Sequence, residues 1–373
     1  MRTAVIASQD ILDKHGVNEL SSPLSSAAAA SSGVTYKGWK ISTSHSKIAD
    51  ETQTIHMQRH ISSHCGVDPR NDDVIVINGD HLHLPPMLFP HDTLVLHHEP
   101  SHMTLSFTST DAMMCWALKH THPETLQVLE VPYAHKWTET LQSEGSDSDQ
   151  RCMKQHKWDW TYMSDYNYSV KTPVGEFIVN DGEVINQSGL PSPPTTTETT
   201  EPTSTPSTSP LNWTPCPPGG INMDLLRAKD DIIFFDEILL YQDDLQDCGE
   251  SQYDVKIRVM PTCWFVLSRL FVRVDGLQII IRDTRLFHEF GSDKVVVEIT
   301  HREGKESDYM SRSAERDTGA TLQSMGSVPR PPPSASTGPH PHVTASQLRD
   351  ANFMSRILPV RSVKNYSLSL NVV

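Results

Sequence analysis

The dipeptide Asp275-Gly276 constrains this chain most, because it separates two apolar-rich runs, Arg269–Val274 and Leu277–Ile281. Glycine accepts the positive φ that a tight primed turn requires, so two strands are expected to fold back on each other there. The same period-two pattern recurs elsewhere. Met103, Leu105 and Phe107 alternate with Thr104 and Ser106, Val255, Ile257 and Val259 with Lys256 and Arg258, and Val295, Val297 and Ile299 form a third set. Alternation of this kind marks half-buried strands. Val74–Ile77 and Leu94–Leu96 read as further strands, and the run Ile232–Tyr241 leans to strand on its Ile and Phe content. Short turns between successive strands favour antiparallel pairing.

Two helices are expected. Thr110 is placed to cap the run 111–120, with Asp111 in the first turn, where the helix dipole favours an acid. A second helix is expected over Asn222–Asp231, with Leu225, Leu226 and Ala228 facing the core. The fold class is therefore α+β: a mainly antiparallel β-sheet core with a few flanking helices.

Three stretches resist folding. Residues 1–33 end in a run of Ser and Ala with little to bury. Residues 188–220 hold nine prolines and no Lys or Arg, which removes backbone donors and offers no apolar surface. Residues 303–346 contain the triplet Pro331–Pro333. All three are expected to be disordered, and residues 347–373 show no clear period and stay unassigned. Only 37% of residues are hydrophobic, below the about 45–50% of ordinary globular chains, which fits a foldable part smaller than the whole. The blocks between, about 34–180 and 221–302, read as one domain over 34–302. Its insert at 188–220 leaves and re-enters one core, because loop closure costs little more as a loop lengthens.

Charge and motifs exclude several function classes. With 31 Lys and Arg against 46 Asp and Glu, the net charge is −15. That speaks against nucleic acid and anionic membranes, which both select cations. It suits a partner that carries positive charge or metal ions. The amino terminus has no uninterrupted apolar run of signal-peptide length, and Val266–Val274, the longest apolar-rich stretch, contains Arg269 and Arg273. A cytosolic protein is expected, with nuclear entry undecided. The six cysteines form no Cys-x-x-Cys pair and read as reduced thiols.

No nucleophile elbow, phosphate loop or His-Glu-x-x-His motif is present, so no catalytic, cofactor or metal-binding residue is assigned. Histidines at 81, 83, 97, 98 and 102 could in principle gather around a metal, which would make the chain a metal-dependent enzyme. A metal needs three or four converging ligands, and hydrogen-bonded or exposed histidines are the simpler account. The aromatic stretch Lys157–Tyr166 could be a binding surface or core, with Tyr166 capping an edge. Asp283-Thr284-Arg285 follows the second run of the hairpin. It reads either as a turn in which Asp283 bonds backbone amides, or as a recognition element on an exposed loop.

Over about 200 residues the chain resembles the TIP-forty-one-like family. The resemblance is carried by the stretches GWKISTS, LPPMLFPHDTLVLHH, FTSTDAMMCW and DWTYMSDY. After the insert it continues through DDIIFFDEILLYQDDLQDCG and YDVKIRVMPTCWFVLSRLFVRVDGLQIIIRDTRLFHE. It implies a non-enzymatic regulator in TOR signalling that binds catalytic subunits of the type 2A, 4 and 6 protein phosphatases, with a link to the alpha-4/Tap-type regulatory protein. By motif match it points to Asp111, Ile221, Ile281 and Asp283 as partner-binding positions. An acidic protein could set Asp111 or Asp283 against a two-metal phosphate site, flanked by Ile221 and Ile281 as apolar anchors. The plainer possibility is that Asp283 and Arg285 pair across a hairpin, worth about 0–1 kcal/mol if exposed. The Ser/Thr-rich segments further suggest an adaptor switched by phosphorylation, a role compatible with the first. The chain departs from the family pattern in its insert before Ile221, its long amino-terminal extension and its tail after His301.

Overall fold

Alternation of side chains sets the two faces of each strand, and here it builds two antiparallel sheets packed around one apolar core. The computed structural model describes residues 4–20, 29–64, 76–77, 80–81, 84–121, 164–173, 175–180, 183–186, 213–245, 249–309 and 343–370. In chain order, β1 (Val5–Ile6), α1 (Gln9–His15) and β2 (Asn18–Glu19) come first, then β3 (Ala29–Tyr36), β4 (Trp39–Ser46) and α2 (Glu51–His64). The small ladder of β5 (Val76–Ile77) and β6 (Asp80–His81) precedes β7 (Met87–Leu88), β8 (Thr93–His98), β9 (Met103–Thr108) and α3 (Ser109–Thr121). β10 (Tyr166–Thr172), β11 (Gly175–Asn180), β12 (Glu183–Asn186), β13 (Trp213–Pro215), α4 (Met223–Arg227) and β14 (Phe234–Asp243) follow. Four long strands come next, β15 (Gly249–Val259), β16 (Cys263–Val274), β17 (Gln278–Glu289) and β18 (Lys294–Lys305). Last come α5 (Ala345–Leu348), α6 (Ala351–Ile357) and β19 (Val360–Ser369).

The larger sheet runs β1-β14-β15-β16-β17-β18-β19-β13, with β7 also on β14; the smaller runs β12-β11-β10-β9-β8-β4-β3-β2. Their inner faces share a single core. Trp39 of β4 meets Trp264 of β16 edge to face, with ring centroids 5.0 Å apart, an arrangement worth about 0.5–1.5 kcal/mol beyond burial. Polar bonds also cross between the sheets. The Thr43 hydroxyl donates to Asp236, the Thr284 hydroxyl to the Asn167 amide oxygen at 2.7 Å, and the Tyr253 hydroxyl to the Tyr166 carbonyl at 2.9 Å. Satisfied buried polar contacts of this kind fix one relative placement of the sheets. The result is the expected α+β class, a mainly antiparallel single domain.

Several details differ from expectation. The Asp275-Gly276 hairpin is present, but Val274 pairs with Gln278, so the loop has three residues and only Gly276 takes a positive φ, +73°. The α3 cap is Thr108 rather than Thr110: its hydroxyl accepts from the Asp111 backbone N–H at 3.0 Å. The helix after the insert is short, Met223–Arg227, capped by the Asn222 side chain, because the chain turns into β14 soon afterwards. The run Ile232–Tyr241 supplies β14, as its β-branched and aromatic content implied.

The expected disordered amino terminus is ordered over 4–20 and 29–33. β1 pairs with β14, and Leu12 and Val17 bury in the core, so a few apolar residues suffice where a sheet edge waits for them. Residues 213–220 of the insert are ordered too, because β13 extends the larger sheet by pairing with β19. Residues 303–309 complete β18 and the turn after it. The unassigned tail forms α6 and β19, and α5 begins just before it. The remainder of the three low-complexity stretches lies outside the described residues.

Candidate functional site

Register makes one face of the larger sheet distinctive. On β17 the even positions Ile280, Leu286 and His288 point to the shared core, while Ile279, Ile281, Asp283, Arg285 and Phe287 point away from the smaller sheet. Their cross-strand partners on that outer face are Arg273, Phe271, Arg269, Leu267 and Phe265 of β16. On β18 the corresponding positions are Gly304, Arg302, Thr300, Glu298 and Val296.

The outer face carries three zones. At one end Ile221, Met260, Cys263, Phe287 and Val296 form an apolar cluster, with Leu225 and Leu226 of α4 packed on it. At the other end Phe271, Ile279, Ile281 and Tyr309 are covered by Val343, Leu348, Met354 and Leu358 of the carboxy-terminal segment. Between them runs a band in which four carboxylates, Glu237, Asp254, Asp283 and Glu298, alternate with three cations, Lys256, Arg269 and Arg285.

Asp283 holds the band together. It is completely buried, and Arg269 grips it with two parallel bonds, Nε to Oδ1 at 2.6 Å and Nη2 to Oδ2 at 2.9 Å. Such a fork is the strongest arrangement available to a carboxylate. The third guanidinium nitrogen, Nη1, donates to the Asn352 side chain of α6 at 2.9 Å, so the carboxy-terminal segment is tied to the same network. Burial opposes the charge on Arg269, but the bonds to Asp283 and the nearby carboxylates of Asp283, Asp254 and Asp350 outweigh it and hold its pKa above the ordinary value. Arg285 donates to Asp283 Oδ2 at 3.1 Å and to Glu298 Oε1 at 2.6 Å. Lys256 lies 3.3 Å from Glu237 and 3.6 Å from Asp254. The outer members of the band, Glu237, Lys256, Arg285 and Glu298, keep about a quarter of their side chains exposed.

The four positions singled out from the sequence divide three to one. All three of Ile221, Ile281 and Asp283 lie on this outer face: Ile281 and Asp283 are two positions apart on β17, and Ile221 arrives from the segment before α4. Asp111 does not: its carboxylate accepts from the Ser169 hydroxyl of β10 at 2.5 Å, on the smaller sheet. Burial raises the Asp111 pKa, against the lowering effect of Ser169 and Thr108, which makes it a poorer anion than an open carboxylate. Two expectations need correction. Asp283 sits in the middle of β17, not at a strand end or on an exposed loop, and its bond to Arg285 runs along one strand rather than across a hairpin. Ile221 and Ile281 are 7% and 0% exposed, so they form cluster interiors rather than projecting anchors.

The described histidines do not assemble. His97 bonds Thr104 through Nδ1, and the adjacent His98 bonds Ser101 and packs at a tilt against Trp39. Neighbours on a strand face opposite ways. Among the described residues no group of three His, Cys, Asp or Glu side chains could hold a metal ion; the side chains of His81 and His83 lie outside them. Of Lys157–Tyr166, residues 164–166 are described, and Tyr166 is a core residue of β10 rather than an edge cap. No helix among the described residues is long and apolar enough to cross a membrane.

Comparison with known proteins bears directly on this face. The model of the TIP41-like family matches residues 87–309, which include α4 and β14–β18 entire. The chain belongs to this family. It is 34% identical over 236 residues to the TIP41-like protein of Homo sapiens, covering 62% of this chain and 70% of the relative. It is 32% identical over 235 residues to the TIP41-like protein of Arabidopsis thaliana, covering 62% and 69%. It is 26% identical over 255 residues to a Saccharomyces cerevisiae protein named type 2A phosphatase activator TIP41, covering 65% and 60%. The family match ends at Tyr309, so the α5–α6 cover and β19 lie beyond it.

Proposed function

We propose that this protein is a non-enzymatic regulator that binds catalytic subunits of type 2A-family serine/threonine protein phosphatases and modulates their activity or assembly. What supports this reading is the partly exposed charged band that Asp283 organises on one sheet face, between the clusters holding Ile221 and Ile281, in a family in which the Saccharomyces cerevisiae relative is named a type 2A phosphatase activator. The contact surface is the partly exposed rim of the charged band together with α4, where Met223 is 50% exposed. Arg285 and Glu298 meet the partner. Asp283 and Ile281 act from beneath, as positioning residues that hold Arg285 and the strand surface in place. Rim charges chiefly set association rate and partner choice.

The reading extends to the type 4 and type 6 catalytic subunits and to the alpha-4/Tap-type regulatory protein, and it places the protein in TOR signalling in the cytosol, with access to the nucleus. Titration of a recombinant type 2A catalytic subunit onto the immobilised full chain tests it. The double substitution Arg285→Ala, Glu298→Ala is expected to weaken binding about 10-fold or more while leaving the thermal unfolding midpoint nearly unchanged. Unaltered affinity, or no binding by the native chain, would refute the assignment. Affinity purification from cells, followed by mass spectrometry, should recover a type 2A, 4 or 6 catalytic subunit in near-equal amount.

A further inference from the structure

We propose that Arg302 and Arg361 form a binding site for a phosphate group, free or carried on a serine or threonine side chain. Arg302 lies on the outer face of β18, cross-strand from Ile281. Its Nη1 donates to the Leu358 carbonyl at 3.3 Å, which fixes the direction of the guanidinium. Its Nε is buried with no acceptor, and among the described residues no carboxylate pairs with Arg302.

The neighbouring charges explain why this cation is left over. Arg269 is matched by Asp283, and Arg285 by Glu298. These two carboxylates and two guanidinium groups are the charges that act on Arg302, and they oppose one another. Burial therefore decides the balance and holds the Arg302 pKa below its ordinary value, with Arg285 and Arg269 pushing the same way against Asp283 and Glu298. A half-buried guanidinium that lacks a counter-charge is held in place for an arriving anion.

β19 supplies the second cation. His301 pairs with Ser362 and Arg302 with Val360, so Arg361 is the extra residue of a bulge, a feature that re-aims side chains. Arg361 is exposed and acts electrostatically on Tyr309, which packs in the same apolar cluster as Ile281. Both arginines thus border one cluster. Among the described residues no ion pair engages Arg361; Asp308, the carboxylate that also acts on Tyr309, is itself exposed. Two guanidinium groups suit a dianion with several oxygens. A phosphate monoester carries about −1.5 to −2 at neutral pH and accepts paired bonds from arginine, whereas a carboxylate would neutralise only one of the two.

The test is titration calorimetry on the full chain with four probes: inorganic phosphate, the blocked tripeptide glycine–phosphoserine–glycine, its serine form and its glutamate form. The phosphopeptide is expected to bind with a Kd below about 1 mM, and the serine and glutamate forms about 10-fold more weakly or not at all. Binding of inorganic phosphate alone would make the free anion the ligand, and binding of the phosphopeptide alone a modified side chain; either upholds the site. Arg302→Ala with Arg361→Ala should weaken binding about 10-fold or more. Arg361→Ala, at an exposed position, should weaken it about 3-fold or more with an unchanged thermal midpoint, so the test holds even if the double variant does not fold. Absence of binding by both phosphate probes, equal binding of the glutamate form, or native affinity in Arg361→Ala overturns the proposal. Phosphatase binding plays no part in these readouts, so this site and the charged band stand or fall separately.

Discussion

Replacing Asp283 with alanine is expected to destabilise the protein by about 3–5 kcal/mol, the cost of leaving one partner of a buried ion pair uncompensated. The magnitude follows from geometry. Asp283 is fully buried and the Arg269 side chain is only 6% exposed, so water cannot replace the two lost bonds to Nε and Nη2. The bond from Nη1 to Asn352 survives but carries no neutralising charge. Arg285 is 25% exposed and can turn to solvent, so its share stays below about 1 kcal/mol. Urea unfolding followed by tryptophan fluorescence reads the effect. With a slope of about 3 kcal/mol per molar, the midpoint should fall by about 1–1.7 M. Removing both charges together, Arg269→Met with Asp283→Leu, should recover most of that loss, because similarly shaped apolar residues replace a buried pair at little cost. A midpoint shift below about 0.3 M for the single variant, or a double variant less stable than the single, would refute this account of the pair.

Other regions give independent predictions. Burial holds His98 and His288 below the ordinary histidine pKa, His98 further through its neighbours His288 and His97. Both therefore take up protons at lower pH when folded than when unfolded, where protonation occurs near pH 6.5; stability should be full above that pH and fall as pH drops through it. A His98→Asn, His288→Asn variant should lose less thermal stability than the native chain between pH 7.5 and 5.5, and parallel profiles would refute the assignment; the raised Asp92 and Asp111 act in the opposite sense at lower pH and cancel in this comparison. Gly276→Ala should cost about 1–2 kcal/mol in chemical denaturation, since φ is +73° in open space and strain alone is at issue. Met354→Ala should cost about 2–5 kcal/mol, because its side chain is wholly buried in the apolar cluster that pins α6 to the sheet, and a shift under about 1 kcal/mol would mean that the cover is loosely held.

Much of the fold was legible because period two is a strong local signal. Met103–Thr108, Val255–Val259 and Val295–Ile299 all appear as strands with the expected residues inward. The ordered parts of the supposed tails were not legible, and the reason is physical. β1 and β13 span two and three residues, and β19 is exposed over half its length, so none can show a period of its own. They exist because strands already in place offer unpaired backbone groups. Likewise α5 and α6 contribute four and seven residues whose apolar face has meaning only above Ile279 and Ile281.

The arrangement of the charged face turns on a single residue of loop length. With two residues in the Asp275-Gly276 turn, Val274 would face Leu277, Arg269 would lie opposite Arg282, and Asp283 opposite Ser268. With three, Val274 faces Gln278 and Arg269 lies opposite Asp283. One register sets two guanidinium groups side by side; the other forms the buried pair, and a slip of one residue exchanges the faces of every side chain on a strand relative to its neighbour. Arg269 in an apolar run and Asp283 beyond the hairpin were both visible as oddities, and counting outward from Gly276 by equal steps brings them together. The charge pair therefore helps to select the three-residue loop, since the alternative would bury like charges without compensation. On this argument Asp283 earns its place first by fixing the register of β16 on β17, and whatever Arg285 and Glu298 present to a partner is a consequence of that register.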